Sequence, residues 1–275
     1  MRLATIRNAD GSTRAARVDG DAATLLESED VGALLHQPNW YQLAAADGVH
    51  LRSADIELAP VILRPRKVFC VGLNYANHIR EMGRDLPSSP TLFTKFDSSL
   101  TGANDDIVIP SESTSVDWEA ELVVVIGLGG RRIPVEDALT HVAGYSVMND
   151  ISMRDWQNRT NQWLAGKAWD SCSPLGPMLV TADELPPGGA GLRISCMVND
   201  EIVQDDNTDD LLFGAASLVA DISTFVTLSP GDVIATGTPG GVGAGRTPPR
   251  FLSAGDRLRT AIEGIGELNN RIVAG

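Results

Sequence analysis

The sequence predicts a β-rich α+β chain: a mixed β-sandwich, roll or barrel, with a small β-rich unit in front of it. Short apolar runs recur from about residue 66 onward: KVFCVG, DIVIP, ELVVVIG, VAGYSVMN, LRISCMVN, DVIATG and DRLRTAI. Gly and Pro, 27 and 15 of the 275 residues, punctuate them. Only VEDALTHV and DLLFGAASLVADISTFV show a helical period in that stretch. Many short strands between turn residues, with few helices, mark a core built from sheets.

Residues 1–60 read as a small N-terminal domain, and 61–275 as the main one. The first segment alternates in the strand manner around turns at Asp10-Gly11 and Asp19-Gly20. A short helical stretch, VGALLHQPNWYQLAAADG, follows. The next segment, IELAPVILRPRKV, carries Pro60 and Pro65, which suit a connector better than a sheet interior.

Composition narrows the partners. Twenty-two Lys and Arg against 36 Asp and Glu give a formal charge of −14. That balance argues against nucleic acid or an anionic membrane. No apolar run is long enough to cross a bilayer, and MRLATIRNADG lacks a signal-peptide core, so a cytoplasmic protein is expected. The three cysteines, Cys70, Cys172 and Cys196, are too far apart for a zinc motif and read as reduced thiols.

Acids carry the strongest chemical signal. In Val116-Asp117-Trp118-Glu119-Ala120-Glu121, followed by LVVVIG, alternate residues share one strand face. Glu119 and Glu121 then project together, with Asp117 on the same parity. Burying such a group without a cation is costly. A solvent-facing acidic edge fits the composition equally well, but a second apolar run ends in Asp150 and offers a third carboxylate. All-oxygen ligands select Mg²⁺, Mn²⁺ or Ca²⁺ over zinc or copper.

Three further stretches could join that centre. In Asn74-Tyr75-Ala76-Asn77-His78-Ile79-Arg80-Glu81, either Asn could cap a short helix, and His78 and Glu81 would share its face. A carboxylate beside an imidazole suits a general base, although a surface pair explains the spacing as well. Lys167, between Trp163 and Trp169, could bind an anion or steady an enolate, or simply snorkel at the surface. The run DVIATGTPGGVG enters a Gly-rich loop that is neither a P-loop nor a dinucleotide fingerprint. Its amides and the Thr238 hydroxyl could hold a carboxylate, or the loop is a plain tight turn.

Six ordered blocks resemble one family: GLNYANHIREMG, PTLFTKFDSSLTGANDDIVIP, DWEAELVVVIG, GYSVMNDISMRDWQ, GKAWDSCSPLGP and GDVIATGTPGGVG. From about Arg66 to the C-terminus the chain resembles the fumarylacetoacetate hydrolase superfamily, in its short bacterial branch. The resemblance implies a mixed β-sandwich roll paired as a homodimer. It implies Mg²⁺ or Mn²⁺ on Glu119, Glu121 and Asp150, with three protein ligands plus water. It implies a His78–Glu81 dyad on a mobile segment, and Lys167, Gln157 and Thr238 at substrate-contacting positions.

The expected function is metal-dependent hydrolysis of a C–C bond in a 2,4-dioxo acid, of acylpyruvate or diketo sugar acid type. The cation would act as a Lewis acid and stabilise a pyruvate enolate, Lys167 would share the developing charge, and His78 with Glu81 would activate water. Decarboxylation of oxaloacetate, or isomerisation of a hydroxymuconate-type diacid, would use the same enolate without attacking water. A non-catalytic metal-stabilised β-protein and an acidic interaction module are the rival classes.

Overall fold

The computed structural model describes every residue except Met82, Arg84 and the side chain of Glu81. The N-terminal segment forms β1 (Arg2–Arg7), β2 (Thr13–Asp19), β3 (Ala22–Leu25), α1 (Val31–Leu35), α2 (Trp40–Ala44), β4 (His50–Arg52) and β5 (Glu57–Leu58). Then follow β6 (Val68–Gly72), α3 (Ala76–Glu81), β7 (Thr91–Lys95), β8 (Leu100–Thr101), β9 (Ile107–Ile109), β10 (Val116–Asp117) and β11 (Ala120–Ile126). Next are β12 (Val142–Asn149), β13 (Ser152–Met153), α4 (Arg154–Gln157), α5 (Leu164–Lys167) and β14 (Ser173–Thr181). The chain closes with β15 (Arg193–Val198), β16 (Glu201–Asn207), α6 (Ala215–Phe225), β17 (Val233–Ala235), β18 (Arg257–Ile262) and β19 (Gly266–Ala274).

All seven apolar runs become strands, as the sequence predicts. One of the two predicted helices forms, as α6; VEDALTHV yields only a 3₁₀ turn over Ala138–His141. Its backbone bonds reach only three residues back, from the Asp137, Ala138 and Thr140 amides to the Pro134, Val135 and Asp137 carbonyls, so the segment stays in tight turns.

A twelve-stranded sheet runs β4-β3-β2-β1-β14-β12-β11-β17-β6-β7, with β5 on β1 and β8 on β14. A five-stranded sheet, β16-β15-β18-β19-β9, faces it. β1 pairs with β14 through Arg2 opposite Val180 and Leu3 opposite Leu179, so the N-terminal strands extend the large sheet. The central strand β11 is buried along its whole length. Its Leu122, Val124 and Ile126 enter the core between the two sheets, and Val123 and Val125 enter a second core with Val31, Leu34 and Leu35 of α1. Burial on both faces explains why ELVVVIG is continuously apolar rather than alternating. Among the described residues no helix is long and apolar enough to cross a membrane.

Candidate metal and anion site

The site forms where β11 begins and β12 ends. The two strands pair antiparallel with Ala120 opposite Asn149, which sets the residues just outside the ladder against each other. There the Asp150 amide donates to the Glu119 carbonyl at 2.8 Å, and the Glu119 amide donates to Asn149 Oδ1 at 2.9 Å. Glu121 is the second residue of β11. Carboxylate oxygens of Glu119, Glu121 and Asp150 all lie within 4.8 Å of one another, and all three residues are buried.

Asp117 does not join them. The ladder breaks at Trp118 and Glu119, so strand parity does not carry across the gap. Asp117 turns instead to the Gly-rich loop, where it accepts from the Gly243 amide at 2.6 Å and the Ala244 amide at 3.0 Å. It also pairs with Arg154 Nε at 2.8 Å.

Two buried lysines and the half-buried Arg154 surround the acids. Lys167 Nζ lies 2.7 Å from Glu119 Oε2 and 2.6 Å from Asp150 Oδ2. Lys167 is 1 % exposed, which removes the snorkelling alternative. Lys95, at the end of β7, donates to Asp150 Oδ1 at 2.7 Å and to the Lys167 carbonyl. Arg154, at the start of α4, reaches Glu119 Oε1 at 2.6 Å and Gln157 Oε1 at 2.8 Å. Among the described residues, four carboxylates, counting Asp117 through its pair with Arg154, thus meet three cations, one fewer. Glu121 is the acid left over: its Oε2 accepts from the Gly237 amide at 2.8 Å, while its buried Oε1 has no hydrogen-bond partner among the described residues.

The electrostatics follow from that shortfall. Burial, and then Asp150 and Glu119, push the Glu121 carboxyl well above the usual range. Burial pushes Asp150 the same way, but Lys167 and Lys95 prevail and hold it at about 2. Burial works against the charge on Lys167, yet Asp150 and Glu119 keep it an ammonium. A small cation beside Glu121 Oε1 would meet an all-oxygen donor set and neutralise the excess, so the residues fit a hard divalent metal.

Two of the remaining predicted residues, Gln157 and Thr238, border this centre. Gln157, mostly buried, joins it through Arg154. Thr238 follows Gly237 and accepts from Gln204 Nε2 at 2.8 Å. Lys167 Nζ sits 4.8 Å from the Phe93 ring centroid, and Trp163 packs edge-on against Phe93 at 5.5 Å. His78 is half-buried on α3; the side chain of Glu81 lies outside the described residues. Neither asparagine caps α3. Asp210 Oδ2 accepts from the Asn77 amide at 2.8 Å, and Asn74 instead donates to the Thr236 carbonyl at 2.7 Å.

Lys95, Arg154 and Gln204 escaped sequence reasoning. Lys95 ends the run TLFTK and looks like any strand-end lysine. Arg154 opens a short helix, and its partners Asp117 and Glu119 lie more than thirty positions earlier in the chain. Gln204 lies in a polar stretch, EIVQDDN, with nothing to single it out.

Comparison with known proteins places this geometry. The family described as fumarylacetoacetate (FAA) hydrolase C-terminal matches residues 67–273. The human mitochondrial oxaloacetate tautomerase is 49% identical over 233 residues, covering 84% of this chain and 74% of that protein. A Dictyostelium discoideum homologue of fumarylacetoacetate hydrolase domain-containing protein 2 is 43% identical over 220 residues, covering 76% and 72%. Among solved structures, fumarylacetoacetate hydrolase from Exiguobacterium antarcticum superposes with a TM-score of 0.89 at 35% identity, over 100% of both chains. The 5-carboxymethyl-2-hydroxymuconate delta-isomerase from Mycobacterium smegmatis gives 0.83 at 33% identity, also over 100% of both. Relatives in human and slime mould correct one expectation, since the branch is not confined to bacteria. With most of its length matched and the acidic cluster at the head of β11, the chain belongs to the fumarylacetoacetate hydrolase superfamily.

Proposed function

We propose that this enzyme interconverts keto and enol forms at C3 of a small 2-oxo diacid of the oxaloacetate type, with Mg²⁺ or Mn²⁺ (or Ca²⁺) on Glu119, Glu121 and Asp150. Glu121 Oε1, buried and without a hydrogen-bond partner among the described residues, within 4.8 Å of the Glu119 and Asp150 carboxylates, carries the reading. Relatives named oxaloacetate tautomerase, and a neighbour named as an isomerase, favour enolisation over hydrolysis. The cation would supply Lewis acidity toward a carboxylate and the adjacent 2-oxo oxygen.

The chain's own residues would do the rest. Lys167, paired with Glu119 and Asp150, donates toward the enolate oxygen. Arg154 fixes one oxygen of Glu119 and the carbonyl end of Gln157, which leaves the Gln157 amide nitrogen for substrate. Thr238 offers its hydroxyl to a carboxylate. His78, with Glu81, is the group we assign to take and return the C3 proton.

A second reading, cleavage of a 2,4-dioxo acid, uses the same site with His78 and Glu81 activating water; the neighbour named fumarylacetoacetate hydrolase favours it. Decarboxylation of oxaloacetate is a third outcome of the same enolate. We also propose that the chain works as a homodimer and that residues 1–60 form a small unit covering an edge of the main sheet.

The test follows the ultraviolet band of enol-oxaloacetate in Mg²⁺ buffer, with pyruvate assayed in parallel. The proposal expects enol decay above the buffer rate, no pyruvate, and loss of the acceleration in Glu119→Gln and His78→Ala. Stoichiometric pyruvate would move the assignment to decarboxylase. Pyruvate from an acylpyruvate, lost in His78→Ala, would move it to hydrolase. No acceleration with any 2-oxo acid would refute the proposal.

A further inference from the structure

Gln204 lies on β16, is 2 % exposed, and makes three hydrogen bonds through one carboxamide. Its Oε1 accepts from the Ala120 amide at 3.0 Å. Its Nε2 donates to the Pro239 carbonyl at 2.9 Å and to Thr238 Oγ1 at 2.8 Å. The partners fix which end is which. A backbone amide can only donate and a carbonyl can only accept, so the nitrogen must face Thr238.

That orientation decides the role of the Thr238 hydroxyl. An amide nitrogen accepts nothing, so Thr238 Oγ1 is the acceptor in this pair and its single proton points elsewhere. The loop around it is held in place. The Thr236 hydroxyl donates to the Leu122 carbonyl at 2.9 Å, Asn74 holds the Thr236 carbonyl at 2.7 Å, and the Gly237 amide binds Glu121 at 2.8 Å. Thr238 is half-buried, one residue beyond the amide that touches Glu121. Ala120, at the other end of the carboxamide, sits between Glu119 and Glu121.

We infer that Gln204 is a positioning residue, which holds the Thr238 hydroxyl as a donor toward the substrate carboxylate and locks that donor to the segment bearing Glu119 and Glu121. The inference rests on the reading of the site as a 2-oxo acid site. One side chain would then set the spacing between the cation's ligands and the carboxylate's donor. Such a link matters because small misplacements of binding groups cost large factors in rate.

The experiment titrates oxalate, a small planar mimic of a 2-oxo acid enolate, into Mn²⁺-loaded protein by calorimetry. Variants are Gln204→Met, Gln204→Glu, Thr238→Val and the Gln204→Met/Thr238→Val pair. Each of Gln204→Met and Thr238→Val should weaken oxalate about tenfold, as expected for one hydrogen bond to a charged group. Their combination should be no weaker than about the worse single variant, because both remove the same contact. Gln204→Glu should be worse than Thr238→Val, since a carboxylate there draws the Thr238 proton away and also repels the Pro239 carbonyl; adding Thr238→Val should cost nothing further. Mn²⁺ affinity in the Thr238→Val protein should stay within about threefold of wild type. Losses that multiply in the double variant, or unchanged oxalate affinity in Gln204→Met, overturn the positioning role alone. If Gln204→Met does not fold, Gln204→Glu with and without Thr238→Val decides by the same rule. Wild-type protein that binds Mn²⁺ but not oxalate overturns the 2-oxo acid reading and this inference with it.

Discussion

Replacing Glu121 with Gln should make the metal-free protein more stable at alkaline pH and indifferent to metal. Carboxylate oxygens of Glu119, Glu121 and Asp150 lie within 4.8 Å of one another. Two like charges at that separation repel by about 3.5 kcal/mol at an effective dielectric of about 20. Glu121 faces two such neighbours, while Lys167, the cation that eases it, is already bonded to both of them. Two such repulsions, about half offset by Lys167, leave ionised Glu121 costing about 3 kcal/mol without bound metal. Its folded pKa is raised, so the folded state binds this proton more tightly than the unfolded chain does. Stability must then fall as pH climbs from the unfolded value, about 4.3, through the folded one. Asp150, held at about 2, acts in the opposite sense but only below about pH 4. Lys167, raised above its ordinary value, loses its contribution only under strongly alkaline conditions. Glu121 therefore dominates this cluster's contribution between about pH 5 and 9. Gln cannot ionise, so its melting curve should be flatter across that range and lie about 5 °C above wild type at the alkaline end. Excess Mg²⁺ at about 100 times its dissociation constant should add about 2.7 kcal/mol to wild type and almost nothing to the variant. Melting followed in chelator and in Mg²⁺ from pH 5 to 9 gives all four curves. A variant less stable than wild type at pH 8 in chelator would refute the reasoning, because Glu121 would then be a satisfied group rather than a strained one.

Other substitutions test the surrounding structure. Lys167→Met strips the ammonium from Glu119 and Asp150 and should cost about 3–5 kcal/mol without metal, partly recovered by Mg²⁺, as read from denaturant melts. Asp117→Asn weakens the Arg154 pair and the grip on Gly243 and Ala244; a loss of about 2–4 kcal/mol is expected by the same assay. Gly166→Ala would set a methyl 2.5 Å from the Gln157 backbone nitrogen and force α5 away from α4. With Gln157 and Lys167 displaced together, turnover of the 2-oxo acid should fall about 100-fold, measured beside a metal titration.

Much of this was legible in the sequence, for reasons that individual residues show. Glu119, Glu121 and Asp150 could be read because each flanks an apolar run whose strand character is strong, so strand geometry gathers them. Asp117 misled for the same reason: parity assumes an unbroken strand, and the ladder breaks at Trp118. Lys167 was ambiguous, since neighbouring residues do not reveal burial; its two carboxylate partners lie 17 and 48 positions away. Lys95 contacts Asp150 across 55 positions and Gln204 contacts Ala120 across 84, and neither has a local signature. The extension of the main sheet by β1 was hidden too, because the pairing of Leu3 with Leu179 depends on the closed fold and not on either segment alone.

The central claim, that three buried carboxylates hold a cation for enolate chemistry on a 2-oxo acid, is tested most directly by deuterium exchange. In D₂O with Mg²⁺, the C3 protons of oxaloacetate are followed by proton NMR with wild type, Glu119→Gln and chelator-treated protein. The account predicts exchange above the Mg²⁺-buffer background for wild type alone. Exchange no faster than buffer, while calorimetry shows Mg²⁺ bound to the wild type and not to Glu119→Gln, would contradict it.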